Sequence, residues 1–224
     1  MNLLNPKMAV AVDLVVFTVA ARSLQVLLTQ RQEEPFKNLR ALPASIIHLS
    51  ETLDEAARRI LRMIAKSENV YLEQLYSFSH PRRDPRGRVV TVAYFALVKA
   101  EKVALIPQSS AIWYPIDALE KLAFDHQEII QYALERLRNK LEYTTAAFQL
   151  LSQRFTLSEL QGIYEIVLGK KIDKRNFRKK LKALNILKDC GMVKREGNHR
   201  PARLYTFSEF RFIKLRDRGI LFPF

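Results

Sequence analysis

The first 86 residues contain no glycine; all six in the chain fall at Gly87 or later. Tight loops that let a backbone approach a phosphate depend on glycine, so a glycine-rich phosphate cradle is excluded from the N-terminal third. Cys190 is the single cysteine, which excludes an internal disulfide and a thiolate metal cluster. The four histidines, His48, His80, His126 and His199, are scattered and show no ligand spacing. Apolar runs are short as well. A membrane helix needs roughly 20 apolar residues, and the most apolar stretch, residues 8–21, is broken by Asp13 and Thr18. The first six residues lack the charged start and long apolar segment of a signal peptide. The expectation is a cytoplasmic protein in a reducing compartment, with no membrane segment, no metal and no cofactor.

What is abundant is positive charge, and it is unevenly placed. The net charge is +14. Residues 1–140 hold 19 Lys and Arg against 15 Asp and Glu, whereas residues 141–224 hold 18 against 8. Residues 170–203 alone hold 13 against 3. A dense basic block usually meets a phosphate backbone, with an anionic membrane or an acidic protein as the other options.

The N-terminal part reads as alternating strands and helices. Residues 10–19 and 24–30 form two strands, followed by a polar loop over 31–40. Thr52 and Glu55 make a capping box, after which Leu53, Ala57, Ile60, Leu61 and Ile64 recur at helical spacing. Strands follow at 70–78 and 88–99, around the turn signal Asp84-Pro85-Arg86-Gly87, with a shorter one at 112–116. Asp125 is expected to cap a helix carrying Ile130, Ala133, Leu134, Leu137 and Leu141 on one face. This order predicts an α+β protein whose first domain, residues 1–140, is an α/β/α sandwich.

Residues 141–224 read differently. A helix is expected over 143–151. Thr156 and Glu159 form a second capping box, flanked by the staple pair Phe155 and Leu160. Leu157, Leu160, Tyr164, Val167 and Leu168 line one face of that helix, and Gly169 ends it. Asp173 caps a further helix to residue 184, and strands at 192–195 and 203–207 enclose the loop 196–202. Helix, helix, turn, helix, hairpin is the order of a winged helix-turn-helix.

On the helix after Asp173, Phe177, Leu181 and Leu184 form an apolar seam. Lys174, Arg175, Arg178, Lys179 and Lys182 project elsewhere, with Asn176 at the flank. That division suits a recognition helix: one side docks, and the other offers guanidiniums and ammoniums to bases and phosphates. Lys194, His199, Arg200 and Arg203 on the hairpin are suited to backbone or minor-groove contact. A charged stripe alone is more often a solvated face; here it coincides with a two-helix unit and a basic hairpin.

The segment from Ser45 onward resembles the box of the Nudix family, which cleaves nucleoside diphosphate derivatives with glutamate-held magnesium. Glu51, Arg59 and Leu61 match the pattern, while Ser45 stands for its first glycine and Ile60, Met63 and Ile64 stand for glutamates. Three carboxylates at that helical spacing hold a hard cation; three apolar side chains cannot. Further blocks resemble the Nudix-related bacterial regulators of the NrtR type. They include Asp84-Pro85-Arg86-Gly87-Arg88-Val89-Val90, Ala123-Phe124-Asp125-His126, Asp173-Lys174-Arg175-Asn176-Phe177-Arg178 and Arg200-Pro201-Ala202-Arg203-Leu204-Tyr205. This resemblance implies a dimeric repressor that binds double-stranded DNA at a palindromic operator. It also implies control by a small-molecule effector such as ADP-ribose, a related NAD metabolite or a sugar. Arg82, Arg83, Arg86 and Arg88 are candidate contacts to effector phosphates, or simply a solvated loop. The competing readings are a Nudix-type hydrolase with an appended nucleic-acid-binding domain and an RNA-binding scaffold. The absent glutamates oppose the first, and the placement of most aromatics in apolar seams opposes the second.

Overall fold

The computed structural model describes residues 8–66, 70–99, 103–141, 144–195 and 201–216. The chain divides into two compact units, Met1–Glu135 and Arg136–Phe224.

The first unit is built on β1 (Ala9–Ala20), in which every residue from Val12 to Val16 is buried and none of the strand is fully exposed. Its parallel neighbour is β7 (Val89–Leu97), in register from Ala9↔Val89 to Phe17↔Leu97. Near-continuous burial of both strands, without alternation, is what a parallel pair covered on both faces requires. β2 (Ser23–Gln30) returns antiparallel to β1 through a two-residue turn, Ala21-Arg22, with both residues at positive φ. Short β3 (Arg40–Ala41) pairs with β2, and β4 (Ala44–Ile46) pairs with Ala11 to Asp13 of β1. β5 (Ala65–Lys66) pairs with β8 (Ala104–Leu105) in a separate ribbon. β6 (Tyr71–Phe78) borders β7, and β9 (Ala111–Pro115) pairs with β2.

Helix α1 (Leu53–Ile64) covers one face. Its Ala56, Ala57, Ile60, Leu61 and Ile64 enter one core with Val12, Leu14 and Val16 of β1 and with Val92 and Tyr94 of β7. Helix α2 (His126–Leu141) buries Ile129, Ile130, Ala133 and Leu134, and its Tyr132 stacks on Tyr76 and meets the edge of Phe78 on β6. The result is the helix–sheet–helix sandwich expected from the sequence.

The second unit holds α3 (Ala146–Gln149), α4 (Leu157–Leu168) and α5 (Lys174–Leu184). The hairpin β10 (Leu187–Lys194) and β11 (Ala202–Phe207) and helix α6 (Glu209–Arg216) complete it. α4 and α5 meet through Tyr164 and Phe177, edge to face at 5.6 Å between centroids. Phe155 exchanges backbone hydrogen bonds with Tyr205, adding a third short strand contact to the hairpin. The element order is that of a winged helix. β10 begins at Leu187, earlier than the sequence pattern indicates, because Leu187 to Asp189 pair with Phe207 to Tyr205 before Gly191, at φ +67°, interrupts the register.

Candidate functional site

The recognition-helix candidate is α5. Asp173 caps it, its carboxylate accepting the Asn176 N–H at 2.8 Å. Phe177 and Leu181 are buried, and Leu184 is half-buried. Lys174, Arg175, Asn176, Arg178, Lys179 and Lys182 are all exposed, so one helix face docks and the others carry donors into solvent. Lys180, outside the set expected from sequence, is exposed among them. On the hairpin, Lys194 is half-buried and ion-paired to Glu159 at 2.7 Å, so this cation is engaged by the capping residue of α4. Arg203 pairs with Asp189 at 3.1 Å, with its side chain 73% exposed. His199 and Arg200 lie outside the described residues.

In the first unit, the box positions of the sequence part ways. Ile60 and Ile64 point into the core, whereas Met63 is 60% exposed. Glu51 is occupied: Arg59 donates to both of its oxygens at 2.9 and 2.6 Å, and the His48 N–H donates at 2.8 Å. Arg59 also reaches the Ser45 hydroxyl and the Ile46 carbonyl. The motif positions do not fit a magnesium ion: among them only Glu51 carries a carboxylate, already paired with a guanidinium, and Ile60, Met63 and Ile64 offer no side-chain oxygen.

The Arg59 hydrogen bonds, reinforced by the His48 N–H, hold the Glu51 carboxyl down at about 2, from an ordinary value of 4.5. Because the folded value is depressed, the contribution of this pair is present above the unfolded value and is lost as pH falls toward about 2. An NMR titration of the Glu51 carboxyl is expected to show its midpoint near 2; a midpoint near 4.5 would show that the Arg59 clamp is open in solution.

The four arginines suggested for effector contact have four different surroundings. Arg82 is exposed. Arg83 is buried, its guanidinium donating to Asp125 at 2.7 and 2.8 Å and to Asp13 at 2.9 Å. Arg86 is exposed and makes a two-pronged pair with Asp84. Arg88 donates to the Ser79 carbonyl. The burial of Arg83 would lower its pKa, and its hydrogen bonds to Asp125, with the charge of Asp13, more than reverse this. Asp125 therefore does not cap α2 with its side chain, as its sequence neighbours imply; its carboxylate goes to Arg83, and its backbone carbonyl accepts the first helical N–H groups.

His126 completes this cluster. Its Nδ1 accepts the Leu42 N–H at 2.8 Å, so that nitrogen carries no proton. Burial holds the pKa of this ring down, against the pull of Asp13 at 3.8 Å, and the imidazole is neutral. Asp13, Asp125 and His126 bring three ligand-type atoms within 4.8 Å, but Arg83 already supplies the positive charge there. No local pattern of residues signals this group, because its members come from β1, the loop before β7 and the start of α2.

Beside it lies a second group, in which Arg86 is expected from sequence as an effector contact and Arg31, Phe36 and Phe124 are not. The Arg31 and Arg86 guanidiniums lie 4.7 and 5.5 Å from the centroid of the Phe124 ring, which also meets Phe36 edge-on. Phe124 and His126 rings are 5.2 Å apart, joining the two groups.

Comparison with known proteins agrees with both units. A NUDIX domain model matches residues 7–133, and a model of the NrtR DNA-binding winged helix domain matches residues 147–207. The chain is 36% identical over 224 residues to an ADPR responsive transcriptional repressor of Acinetobacter baylyi, covering 97% of this chain and 87% of the relative. It is 33% identical over 128 residues to an ADP-ribose pyrophosphatase of Methanocaldococcus jannaschii, across 55% of this chain and 71% of that one. The crystal structure of Shewanella oneidensis NrtR complexed with a 27mer DNA superposes with a TM-score of 0.80 at 34% identity, covering 91% of this chain and 95% of that one. The NUDIX domain of that protein complexed with ADP ribose superposes with a TM-score of 0.55, also at 34% identity, covering 59% and 90%.

Proposed function

Since the chain belongs to the Nudix-related regulators with an NrtR DNA-binding winged helix domain, we propose that it is a transcriptional repressor released or engaged by ADP-ribose or a related nucleoside diphosphate. The observation that carries the DNA-binding part is α5, whose docked seam of Phe177 and Leu181 leaves a row of cations and Asn176 exposed. In this reading, α5 enters a major groove and the hairpin meets phosphates. The protein acts in the cytoplasm as a homodimer on a palindromic operator. A single short helix gives modest discrimination, and two joined copies raise it through effective concentration.

The test is duplex binding after selection of preferred sites from a random library. Arg175→Ala or Lys179→Ala is expected to weaken specific binding by about 1–3 kcal/mol if a base contact is lost, or to reduce the salt slope by about one if a phosphate contact is lost. Wild-type affinity and salt dependence in both variants would remove α5 from the interface.

The relative of M. jannaschii favours a second reading, a diphosphatase. We take the box to be inert, because Ile60, Met63 and Ile64 supply no metal-binding oxygen and Glu51 is held by Arg59. No magnesium-dependent turnover of ADP-ribose is expected; turnover that disappears in Glu51→Gln would establish a working hydrolase instead.

A further inference from the structure

A recognition helix reads bases only while its angle is fixed, because a base-edge hydrogen bond tolerates little displacement. α5 is 11 residues long, about 16 Å from end to end. Its buried seam is Phe177 and Leu181, one helical turn apart on one face, with Leu184 half-buried beyond them. Two contacts so close together act as a pivot. A tilt of about 10° at Phe177 would carry Asn185 through roughly 2 Å. The two ends of the helix therefore need holding from outside it.

The N-terminal end is held from α4. The Glu165 carboxylate accepts the Ile172 N–H at 3.0 Å, the Gln161 side-chain amide at 3.0 Å and the Lys171 ammonium at 3.3 Å. Gln161 also donates to the Ile172 carbonyl. These bonds fix the turn in front of Asp173. The C-terminal end is held from α6. Arg211 Nη1 lies 3.1 Å from the Asn185 side-chain oxygen, 3.4 Å from the Asn185 carbonyl and 3.0 Å from the Leu187 carbonyl. The carbonyl between them, that of Ile186, accepts the Ser208 N–H at 2.8 Å. Three successive carbonyls after α5 thus meet donors from the junction of β11 and α6. Asn185 sits at φ +50°, the left-handed conformation that ends a helix. A cation at this point also faces the negative end of the α5 dipole. α6 is itself seated: Phe212, next to Arg211, meets the Phe207 ring at 5.8 Å, and Phe207 stacks on Phe148. The match to the winged helix domain model ends at residue 207, so Arg211 lies beyond it.

We infer that Arg211 is a positioning residue for DNA recognition: it clasps the C-terminal end of α5 and sets the angle at which that helix enters the groove. Arg211 is exposed, and an exposed hydrogen bond exchanges with water at little net gain. The clasp therefore acts on the direction of α5 more than on stability. The inference rests on α5 reading DNA, as proposed above, and adds a residue outside the basic row on which the aim of that row depends.

The test uses the full chain and two duplexes of equal length, the site selected from the random library and a shuffled sequence. Arg211→Gln is expected to lower affinity for the selected site by about fivefold or more, the scale of one weakened base contact, while affinity and salt slope on the shuffled duplex stay at wild-type values. Its melting midpoint should stay within about 2 °C of wild type. Arg211→Lys, which keeps the charge and a donor, should recover part of the loss. Without DNA, amide exchange at Leu184 and Asn185 should quicken in Arg211→Gln, and less so in Arg211→Lys. Equal loss on both duplexes, with the salt slope reduced by about one, would make Arg211 a phosphate contact and overturn the positioning role. A loss that follows a matching fall in melting midpoint would reduce the clasp to a structural bond and overturn it as well. Wild-type affinities in Arg211→Gln, or unchanged exchange at the end of α5, overturn the clasp and leave the DNA-binding reading standing. A wild type that prefers neither duplex overturns that reading, and the inference with it.

Discussion

Arg83→Met is expected to cost the first unit about 3–5 kcal/mol in urea unfolding, since the change leaves two carboxylates facing each other without their cation. Asp13 and Asp125 both point at that guanidinium, and the Arg83 side chain is only 5% exposed. Water therefore has little access with which to replace the lost hydrogen bonds. Pairing the change with Asp13→Asn removes one of the stranded charges, and the double variant should be more stable than Arg83→Met alone. A loss under about 1 kcal/mol would show that the carboxylates are hydrated in solution and that the cluster is not a dry ion group. Replacement by methionine is chosen because it keeps most of the length and apolar stem, so the comparison reports charge more than volume.

The second large effect is expected in the winged helix. Phe177 is fully buried and packs edge-on against Tyr164 of α4. Phe177→Ala should open a cavity between the two helices and lower stability by about 3–5 kcal/mol. DNA binding would then be lost through unfolding, with a matching loss of helical signal. Arg178→Ala, the next residue, is exposed and should change stability by no more than about 0.5 kcal/mol. The pair separates what the seam does from what the charged row does. Equal melting of Phe177→Ala and Arg178→Ala would mean that α5 does not dock on α4 through this ring.

Features written within a few neighbouring residues are legible in the amino-acid order. Both capping boxes form as expected: Thr52 with Glu55, and Thr156 with Glu159, each with the reciprocal hydrogen bonds. Asp173 caps α5, and Gly169 closes α4 at φ +67°. The apolar seam of α5 is equally plain, because helical spacing alone places Phe177 and Leu181 together. Short strands such as β3, β4, β5 and β8 are not legible, since two or three residues carry no periodicity. Helix α6 has no clear signal either; its apolar residues do not separate into one face.

The candidate site shows the same division more sharply. Lys174 to Lys182 can be read as one basic face because they share one helix. Arg82, Arg83, Arg86 and Arg88 look alike in sequence, yet the fold gives them an open surface, a buried ion cluster, an Asp84 pair and a backbone carbonyl. Asp125 reads as a cap from its neighbours and becomes a partner of Arg83, 42 residues away.

By itself, then, the order of residues determined the two-unit architecture, the caps of α1, α4 and α5, the basic face of α5 and the absence of carboxylates at 60, 63 and 64. Each of these depends on residue type at short spacing, where helical and strand geometry is known in advance. Tertiary structure alone decided that Arg83 is enclosed by Asp13 and Asp125, that Glu51 is spent on Arg59, and that Arg31 and Arg86 meet at Phe124. A charged group's role depends on which opposite charge and how much water lie within a few ångströms of it, and segments far apart in the chain supply both.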